Sequence, residues 1–311
     1  MDKIICIAGP TATGKTRLSV ALAKALGAEI VSFDSMQVYC GMDIGTAKPT
    51  LEERGGVKHY MFDVADPREN FSVSRYVTLA DPFVQDILGR GKPVILVGGT
   101  GLYVDSLVAG RDFAPMPQTG RREALEKQAE KEGIGPLYEK LQQVDPESAA
   151  AIHPANQKRV IRALEVFLET GKTLSEHNRE TKLKPPKYHP VWIGLDYKNR
   201  EDLYSRIDAR VDEMFEEGLE EEVKNLLGQG IPENATSMQA IGYKELVSAL
   251  RGEISMEEAK ENIKKGTRHY AKRQRTWFRR NPEIHWIEMP GEPEAEKIYF
   301  QARQLLPEFD T

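Results

Sequence analysis

A phosphate-binding loop near the N-terminus constrains the fold of this chain more than any other feature. Residues 9–16, the phosphate loop, read Gly-Pro-Thr-Ala-Thr-Gly-Lys-Thr and fit the pattern G-x-x-x-x-G-K-[ST]. A strand-like apolar run precedes them and a helix-like segment follows them, as this pattern requires. The glycines allow backbone N–H groups to turn toward phosphate oxygens, and the helix N-terminus adds partial positive charge. Lys15 adds a full charge, and the Thr16 hydroxyl is the predicted ligand of Mg²⁺. The sequence therefore predicts a di- or triphosphate site that comprises Gly9, Pro10, Thr11, Ala12, Thr13, Gly14, Lys15 and Thr16.

Strand-like and helix-like segments alternate in the first third of the chain and occur again after its middle region. The predicted strands cover residues 4–8, 29–33, 92–97, 191–195 and 285–287. The predicted helices on either side of the middle region cover residues 17–26, 71–88, 201–227 and 257–280. Alternation of this kind is typical of βαβ units. We therefore predict an α/β fold with a P-loop NTPase-like parallel sheet flanked by helices, whose ligands bind at the carboxyl ends of the strands.

The middle of the chain shows helical patterns and no convincing strand. Its predicted helices cover residues 121–132, 135–143, 147–152 and 155–170. Proline-containing breaks at 115–117 and 185–186 bound the region. We therefore predict an all-helical insertion domain at 115–185, set into a catalytic core of residues 1–114 and 186–311.

The composition is typical of a soluble globular protein. No apolar run is long enough to span a membrane, and the first strand begins at residue 4, so we expect no signal peptide. Cys6 lies in a predicted buried strand and Cys40 in a loop. Two cysteines without metal-ligand spacing favour the reducing cytoplasm. We expect a monomer, because no exposed heptad or unexplained apolar patch is evident.

One segment is strongly basic although the net charge of the chain is −5. Residues 264–280 contain eight Lys and Arg residues and no acidic residue. Arg268, Lys272, Arg275 and Arg279 recur at helical spacing and share one face, with aromatic residues between them. Such a face is typical of helices that bind a phosphate backbone, and the absence of acidic residues in the segment favours this interpretation over a solvated charged surface.

Several polar residues outside the phosphate loop are candidates for chemistry. Asp34 ends a predicted strand and is a metal ligand, a general base or the cap of the next turn. Thr100 lies between two glycines at the end of another strand, where we expect close approach of a ligand. Arg206 and Arg210 are either phosphate ligands or a salt-bridged surface pair. The loop at 43–50 is best interpreted as solvated.

Taken together, seven motifs resemble those of the bacterial tRNA dimethylallyltransferases. They are the phosphate loop, Asp-Ser-Met-Gln-Val-Tyr at 34–39, Asp-Ile-Gly-Thr-Ala-Lys-Pro at 43–49, Val-Gly-Gly-Thr-Gly-Leu-Tyr at 97–103, Arg-Val-Ile-Arg-Ala-Leu-Glu at 159–165, Gln-Ala-Ile-Gly-Tyr-Lys at 239–244 and Lys-Arg-Gln-Arg-Thr-Trp-Phe at 272–278. Each motif after the first is weak alone, but they occur in order along nearly the whole chain. The resemblance implies transfer of a dimethylallyl group from dimethylallyl diphosphate to the exocyclic amine of the adenosine on the 3′ side of the anticodon.

The resemblance also implies roles for individual residues. Asp34 would accept the amine proton, Thr100 would orient the reacting groups, and Lys15 and Arg210 would stabilise the departing pyrophosphate with Mg²⁺ at Thr16. The anticodon stem-loop would be held by the insertion helices and the basic helix. The implied tRNA-contacting residues are Asp34, Ser35, Met36, Gln37, Thr100, Arg122, Gln157, Lys158, Arg159, Val160, Ile161, Gln239, Gly242, Tyr243, Lys272, Arg273 and Gln274.

Two other functions stay open on the sequence. An adenylate prenyltransferase would use the same chemistry on a free nucleotide, but it needs neither the insertion nor the basic helix. A P-loop nucleoside kinase would bind ATP in the phosphate loop, with Asp34 in place of the usual metal-binding aspartate.

Overall fold

A computed structural model describes residues 3–111, 119–183 and 185–309. The chain forms two compact units, the first made of Met1–Gly110 and Lys187–Thr311 and the second of Arg111–Pro186. The predicted domain boundary after residue 114, together with the break at 115–117, lies outside the described residues. The boundary predicted after residue 185 lies one residue before the end of the second unit.

The first unit is built on a parallel sheet of six strands in the order β3-β2-β4-β1-β5-β6. The strands are β1 (Ile4–Ala8), β2 (Glu29–Ser32), β3 (His59–Tyr60), β4 (Val94–Val97), β5 (Val191–Tyr197) and β6 (His285–Met289). Central strand β1 pairs with β4 and β5, so that Ile5 lies between Ile95 and Val191. Every residue of β1 is buried because helices cover both faces of the sheet. The predicted α/β fold is confirmed. The short strand β3 was not predicted.

The helices of the first unit lie on either side of the second unit in sequence. They are α1 (Lys15–Leu26), α2 (Leu51–Arg54), α3 (Val73–Gly89), α4 (Gly101–Val108), α10 (Arg200–Glu216), α11 (Leu219–Gly228), α12 (Tyr243–Leu250), α13 (Met256–Phe278) and α14 (Ala295–Gln304). The prediction of one continuous helix at 201–227 is wrong. Gly218 adopts a left-handed φ of 100°, which breaks the helical conformation between α10 and α11. Helices α2, α4, α12 and α14 were not predicted.

The second unit contains five helices among its described residues. They are α5 (Arg121–Glu132), α6 (Gly135–Val144), α7 (Pro146–Ala151), α8 (Gln157–Thr170) and α9 (Leu174–Leu183). The unit has its own apolar core, to which Leu137, Leu141 and Leu164 contribute. Four of these helices match the predicted segments, whereas α9 was missed because its sequence is mostly polar.

Candidate active site

A cavity of about 560 Å³ opens at the carboxyl ends of the strands of the first unit. The phosphate loop, the aspartate turn (residues 34–37) and the glycine turn (residues 98–101) follow strands β1, β2 and β4. Because these strands are adjacent and parallel, their carboxyl ends bring the three segments together. Arg206 and Arg210 of α10 and Tyr270 and Gln274 of α13 complete the wall.

Unusual backbone angles shape the phosphate loop. Gly9 has a φ of 144°, and a Cβ there would lie 2.3 Å from the Leu195 carbonyl oxygen, so that only glycine fits against β5. Gly14, before the first turn of α1, has a φ of 77°, and Ala12 has a φ of 64°. The first turn of α1 carries no acidic residue, which leaves its N-terminal partial charge available to an anion.

Two cations and one carboxylate share the wall of the cavity. Burial, reinforced by the charge of Arg210, lowers the pKa of Lys15 to about 7, whereas Asp34 acts in the opposite direction. The Lys15 Nζ donates a hydrogen bond of 2.5 Å to the Pro10 carbonyl. Arg210 Nη1 donates to Thr11 Oγ1 at 3.2 Å, and burial lowers the pKa of Arg210. The site therefore concentrates positive charge where the loop predicts a phosphate.

Arg206 differs from Arg210 in its surroundings. It lines the same cavity but is exposed, one turn earlier on α10. Neither arginine forms an ion pair with Asp202 or Glu213 among the interactions of the described residues. The alternative of a salt-bridged surface pair is therefore wrong, and Arg210 is the one bonded to the phosphate loop.

Asp34 is half-buried at the start of the aspartate turn. Its Oδ1 accepts hydrogen bonds from the backbone N–H groups of Met36 at 2.9 Å and Gln37 at 3.4 Å. Burial raises the pKa of Asp34, while these bonds and the charges of Lys15 and Arg210 oppose the rise. The carboxyl thus caps its own turn and faces the cavity, which suits a proton acceptor near neutral pH.

Thr100 holds the aspartate turn in place. Its Oγ1 accepts a hydrogen bond from the Ser35 N–H at 3.0 Å and donates one to the Ser35 Oγ at 3.2 Å. Gly99 lines the cavity, so the approach of a ligand beside Thr100 stays a prediction. A Cβ at Gly99 would lie 2.1 Å from the Gln274 side chain, and one at Gly101 would lie 2.1 Å from the Trp277 ring. Both glycines make room for helix α13.

The prediction that the loop at 43–50 is solvated is wrong, because the loop is anchored to the rest of the first unit. Lys48 is buried, and its Nζ donates to Asp43 and Asp63, each at 2.6 Å. The Glu222 carboxylate of α11 accepts three backbone N–H bonds at residues 43–45. Gln37 reaches the same loop, since its Nε2 donates to the Ala47 carbonyl at 3.0 Å. The loop therefore supports the wall that includes Ser35, Met36 and Gln37.

Five residues that were assigned to tRNA contact have structural roles instead. Val160 and Ile161 are buried in the core of the second unit, since they lie on the inner face of α8. Tyr243 is fully buried, and its hydroxyl donates to Glu222 at 2.7 Å. Gln274 is buried and both ends of its amide bond to protein backbone. Gly242 has a positive φ of 102° immediately before α12, where it permits the turn.

The other residues assigned to tRNA contact are accessible. In the second unit, Gln157, Lys158 and Arg159 are exposed in the first turn of α8, and Arg122 is ion-paired with Glu126 at 3.1 Å. In the first unit, the exposed members are Gln239, Lys272 and Arg273.

Three of the four basic side chains on the basic face of α13 form ion pairs within the first unit. Arg268 bonds to Asp208 at 2.8 Å, and Arg275 and Arg279 bond to Asp196 at 2.8 and 3.1 Å. Asp196 is fully buried at the end of β5. The interpretation that this face has no acidic partners is therefore wrong, because carboxylates distant in sequence pair with three of its four basic side chains. Phosphate-backbone binding by the face stays a prediction.

Tyr270 is a cavity residue that was not among the predicted site residues. Burial followed by the charge of Asp34 raises the pKa of its hydroxyl, while the neighbouring Thr100 and Gln274 side chains oppose the rise. Helical spacing could have revealed it, because Tyr270 lies one turn before Gln274 on α13. Phe278 packs in the core and Trp277 packs against it, and Trp277 also donates to Asp105 at 2.8 Å.

Metal-ligating residues are sparse. Within the described ranges, no three His, Cys, Asp or Glu side chains are grouped to hold an ion. Thr16 lines the cavity in the first turn of α1. Mg²⁺ often takes few protein ligands and fills its shell with phosphate oxygens and water, so one hydroxyl beside a diphosphate site fits such an ion. Cys6 is buried and Cys40 exposed, and neither forms a disulfide.

Comparisons with known proteins agree on one family. A model described as IPP transferase matches residues 37–281. A tRNA dimethylallyltransferase of Caldanaerobacter subterraneus subsp. tengcongensis is 53% identical over 287 residues, which cover 92% of this chain and 91% of the relative. One from Acetivibrio thermocellus is 45% identical over 310 residues, with 99% of both chains covered.

Solved structures give the same result. The full-length tRNA isopentenylpyrophosphate transferase of Bacillus halodurans matches with a TM-score of 0.73 at 44% identity, covering 99% of this chain and 98% of its own. A eukaryotic dimethylallyltransferase solved acting on tRNA matches with a TM-score of 0.82 at 32% identity, covering 98% of this chain and 77% of its own.

None of the helices in the described part of the chain combines the length and the apolar character that a membrane span requires.

Proposed function

This chain belongs to the IPP transferase family, and we propose that it transfers a dimethylallyl group from dimethylallyl diphosphate to the N6 amine of the adenosine next to the anticodon of tRNA, on its 3′ side. The observation that carries the proposal is the single cavity wall on which the phosphate loop, Asp34 and Arg210 meet. An anion site and a carboxylate proton acceptor face the same space there. Such a pair fits alkyl transfer with a diphosphate leaving group.

Asp34 is the proposed general base. The adenosine N6 forms a bond to C1 of the dimethylallyl group, the C1–O bond breaks, and its electron pair leaves with pyrophosphate. The N6 proton passes to Asp34 because its carboxylate faces the cavity and is held by two backbone N–H bonds. Thr100 keeps the aspartate turn in position through Ser35.

Lys15 and Arg210 stabilise the leaving group. Negative charge grows on the diphosphate oxygens as the C1–O bond breaks, and fixed cations in a partly buried site lower the energy of that state. Thr16 would hold an Mg²⁺ ion, which would neutralise further charge on the leaving diphosphate. The backbone N–H groups of the phosphate loop and α1 add partial positive charge.

The tRNA would contact accessible polar residues on both units. Gln157, Lys158 and Arg159 offer an exposed basic turn on the second unit, and Lys272 and Arg273 offer exposed charges beside the cavity of the first. The target base must leave its stack to reach Asp34, at a cost of a few kcal/mol. A cytoplasmic location and a monomeric state remain predictions.

Prenyl transfer with a labelled donor tests this function. The wild-type chain should incorporate label into an anticodon stem-loop and release one pyrophosphate per prenyl group. It should not use AMP efficiently, which separates it from an adenylate prenyltransferase, and it should release no ADP from ATP, which separates it from a kinase. Absence of incorporation by folded wild-type protein would contradict the proposal.

A further inference from the structure

We propose that Gln274 is a positioning residue that fixes the phosphate loop relative to the glycine turn and thereby sets the distance between the diphosphate and Asp34. The inference rests on the proposed function and deepens it. It also reassigns a residue whose sequence motif pointed to tRNA contact.

The amide of Gln274 joins two loops that are remote in sequence. Its Oε1 accepts the backbone N–H of Thr11 at 2.9 Å, and its Nε2 donates to the carbonyl of Gly99 at 3.0 Å. The side chain is only 5% exposed. A flipped amide would place oxygen against oxygen and N–H against N–H, so the two backbone partners determine its orientation. The amide therefore acts as a strut between the ends of β1 and β4.

The strut continues to the aspartate turn through Thr100. Gly99, whose carbonyl accepts the Gln274 bond, directly precedes Thr100 in the chain. Thr100 in turn holds the backbone N–H of Ser35, the residue after Asp34. A continuous series of bonds thus runs from the phosphate loop to the general base, all inside the first unit.

Helix α13 is fixed strongly enough to serve as the base of this strut. Arg275, the next residue, bonds to the fully buried Asp196 of β5, and so does Arg279 one turn later. Glycines at 99 and 101 let the helix approach the glycine turn closely. A group held in this way can keep two reacting centres at a defined separation, which strongly affects rate.

Direct contact with tRNA is the competing role for Gln274, and the two roles predict different kinetics. A tRNA contact predicts a higher KM for the anticodon stem-loop and unchanged binding of pyrophosphate without tRNA. A strut predicts weaker pyrophosphate binding without tRNA and a lower kcat, with the KM for the stem-loop unchanged. The probe is inorganic pyrophosphate with Mg²⁺, measured by calorimetry on tRNA-free enzyme.

The first variant is Gln274→Met, which keeps the length of the side chain and removes both bonds. Losing a bond to a buried group typically corresponds to roughly tenfold in an equilibrium constant. We expect about a tenfold loss of pyrophosphate affinity and at least a tenfold loss of kcat. Thr276→Ala on an exposed position of the same helix is the matched control and should change neither. Unchanged pyrophosphate affinity with a raised KM for the stem-loop would overturn the inference.

The second variant, Gln274→Glu, adds a pH signature. A protonated carboxyl can accept the Thr11 N–H and donate to the Gly99 carbonyl, whereas the carboxylate loses the second bond and adds charge near the diphosphate. The kcat ratio of Gln274→Glu to wild type should therefore rise as pH falls, while the ratio for Gln274→Met stays flat. A flat ratio for both variants contradicts the strut. Wild-type enzyme that binds no pyrophosphate would instead contradict the proposed function itself.

Discussion

Replacement of Asp34 by Asn separates the base from its structural role in the turn. The Asn Oδ1 can accept the same two backbone N–H bonds that Asp34 accepts at 2.9 and 3.4 Å, so the aspartate turn should keep its shape. The amide cannot take the N6 proton. General-base catalysis contributes about 10²–10⁴-fold to a rate, and we expect Asp34→Asn to lower kcat by a factor in that range.

The same variant should not weaken the fold or the anion site. Burial raises the pKa of Asp34. The stability that the protonated Asp34 contributes is therefore lost as the pH rises from the usual aspartate pKa through the raised pKa. Above that window the ionised carboxylate destabilises the folded state, and an uncharged Asn removes this cost. The Tm of Asp34→Asn at neutral pH should therefore match or exceed that of wild type. Pyrophosphate affinity should be equal or higher, because a negative charge near Lys15 and Arg210 is gone.

Three measurements decide the outcome. Single-turnover transfer of a labelled prenyl group to an anticodon stem-loop gives the rate, thermal unfolding gives Tm, and calorimetry gives the pyrophosphate affinity. Wild-type kcat should fall as pH decreases through the raised pKa of Asp34, and the variant should lack this limb. A rate within fivefold of wild type, or a rate loss matched by lost pyrophosphate affinity, would refute the role of Asp34 as base.

Three further predictions concern the charges around the cavity. Arg210→Ala should weaken pyrophosphate binding by about 10–100-fold, because a charged hydrogen-bond donor is lost, whereas the exposed Arg206→Ala should have a smaller effect in the same calorimetric titration. Lys15 has a pKa of about 7 in the free site, so it should take up a proton when pyrophosphate binds above pH 7. Calorimetry in buffers of different ionisation enthalpy should show this proton uptake in wild type but not in Lys15→Met. The double change of Lys272 and Arg273 to Ala should raise the KM for tRNA and reduce its logarithmic salt dependence by about 1–2, and an unchanged salt slope would contradict their contact with phosphates.

Local patterns in the sequence were enough to predict five of the six strands and the position of the phosphate loop. Apolar runs identified β1, β2, β4 and β5, because a strand that is buried on both faces needs a largely apolar sequence. The edge strand β6, with exposed residues at 285 and 288, gave a weaker signal. The phosphate loop carries its own backbone requirements in two glycines. Asp34 was a strong candidate because a polar residue that follows an apolar strand faces the carboxyl edge of the sheet.

The partners of side chains could not be predicted from local patterns. The basic face of α13 was interpreted as having no acidic partners, yet Asp196 and Asp208 pair with three of its four basic side chains from distant positions in the chain. Gly99 and Gly101 were interpreted as room for a ligand, and they also make room for Gln274 and Trp277.

By itself, the sequence determined that the chain folds around a parallel sheet and predicted where a phosphate-bearing molecule would bind, because each of these properties resides in short contiguous segments. Only the tertiary structure decided which polar residues face the cavity and which hold the loops of its wall in place. Charge and hydrogen-bonding capacity are visible in a sequence. Whether Gln274 contacts a backbone carbonyl or solvent depends on Gly99, which follows β4 and is 175 residues away. Long-range packing therefore selected the functional residues from the candidates that the sequence supplied.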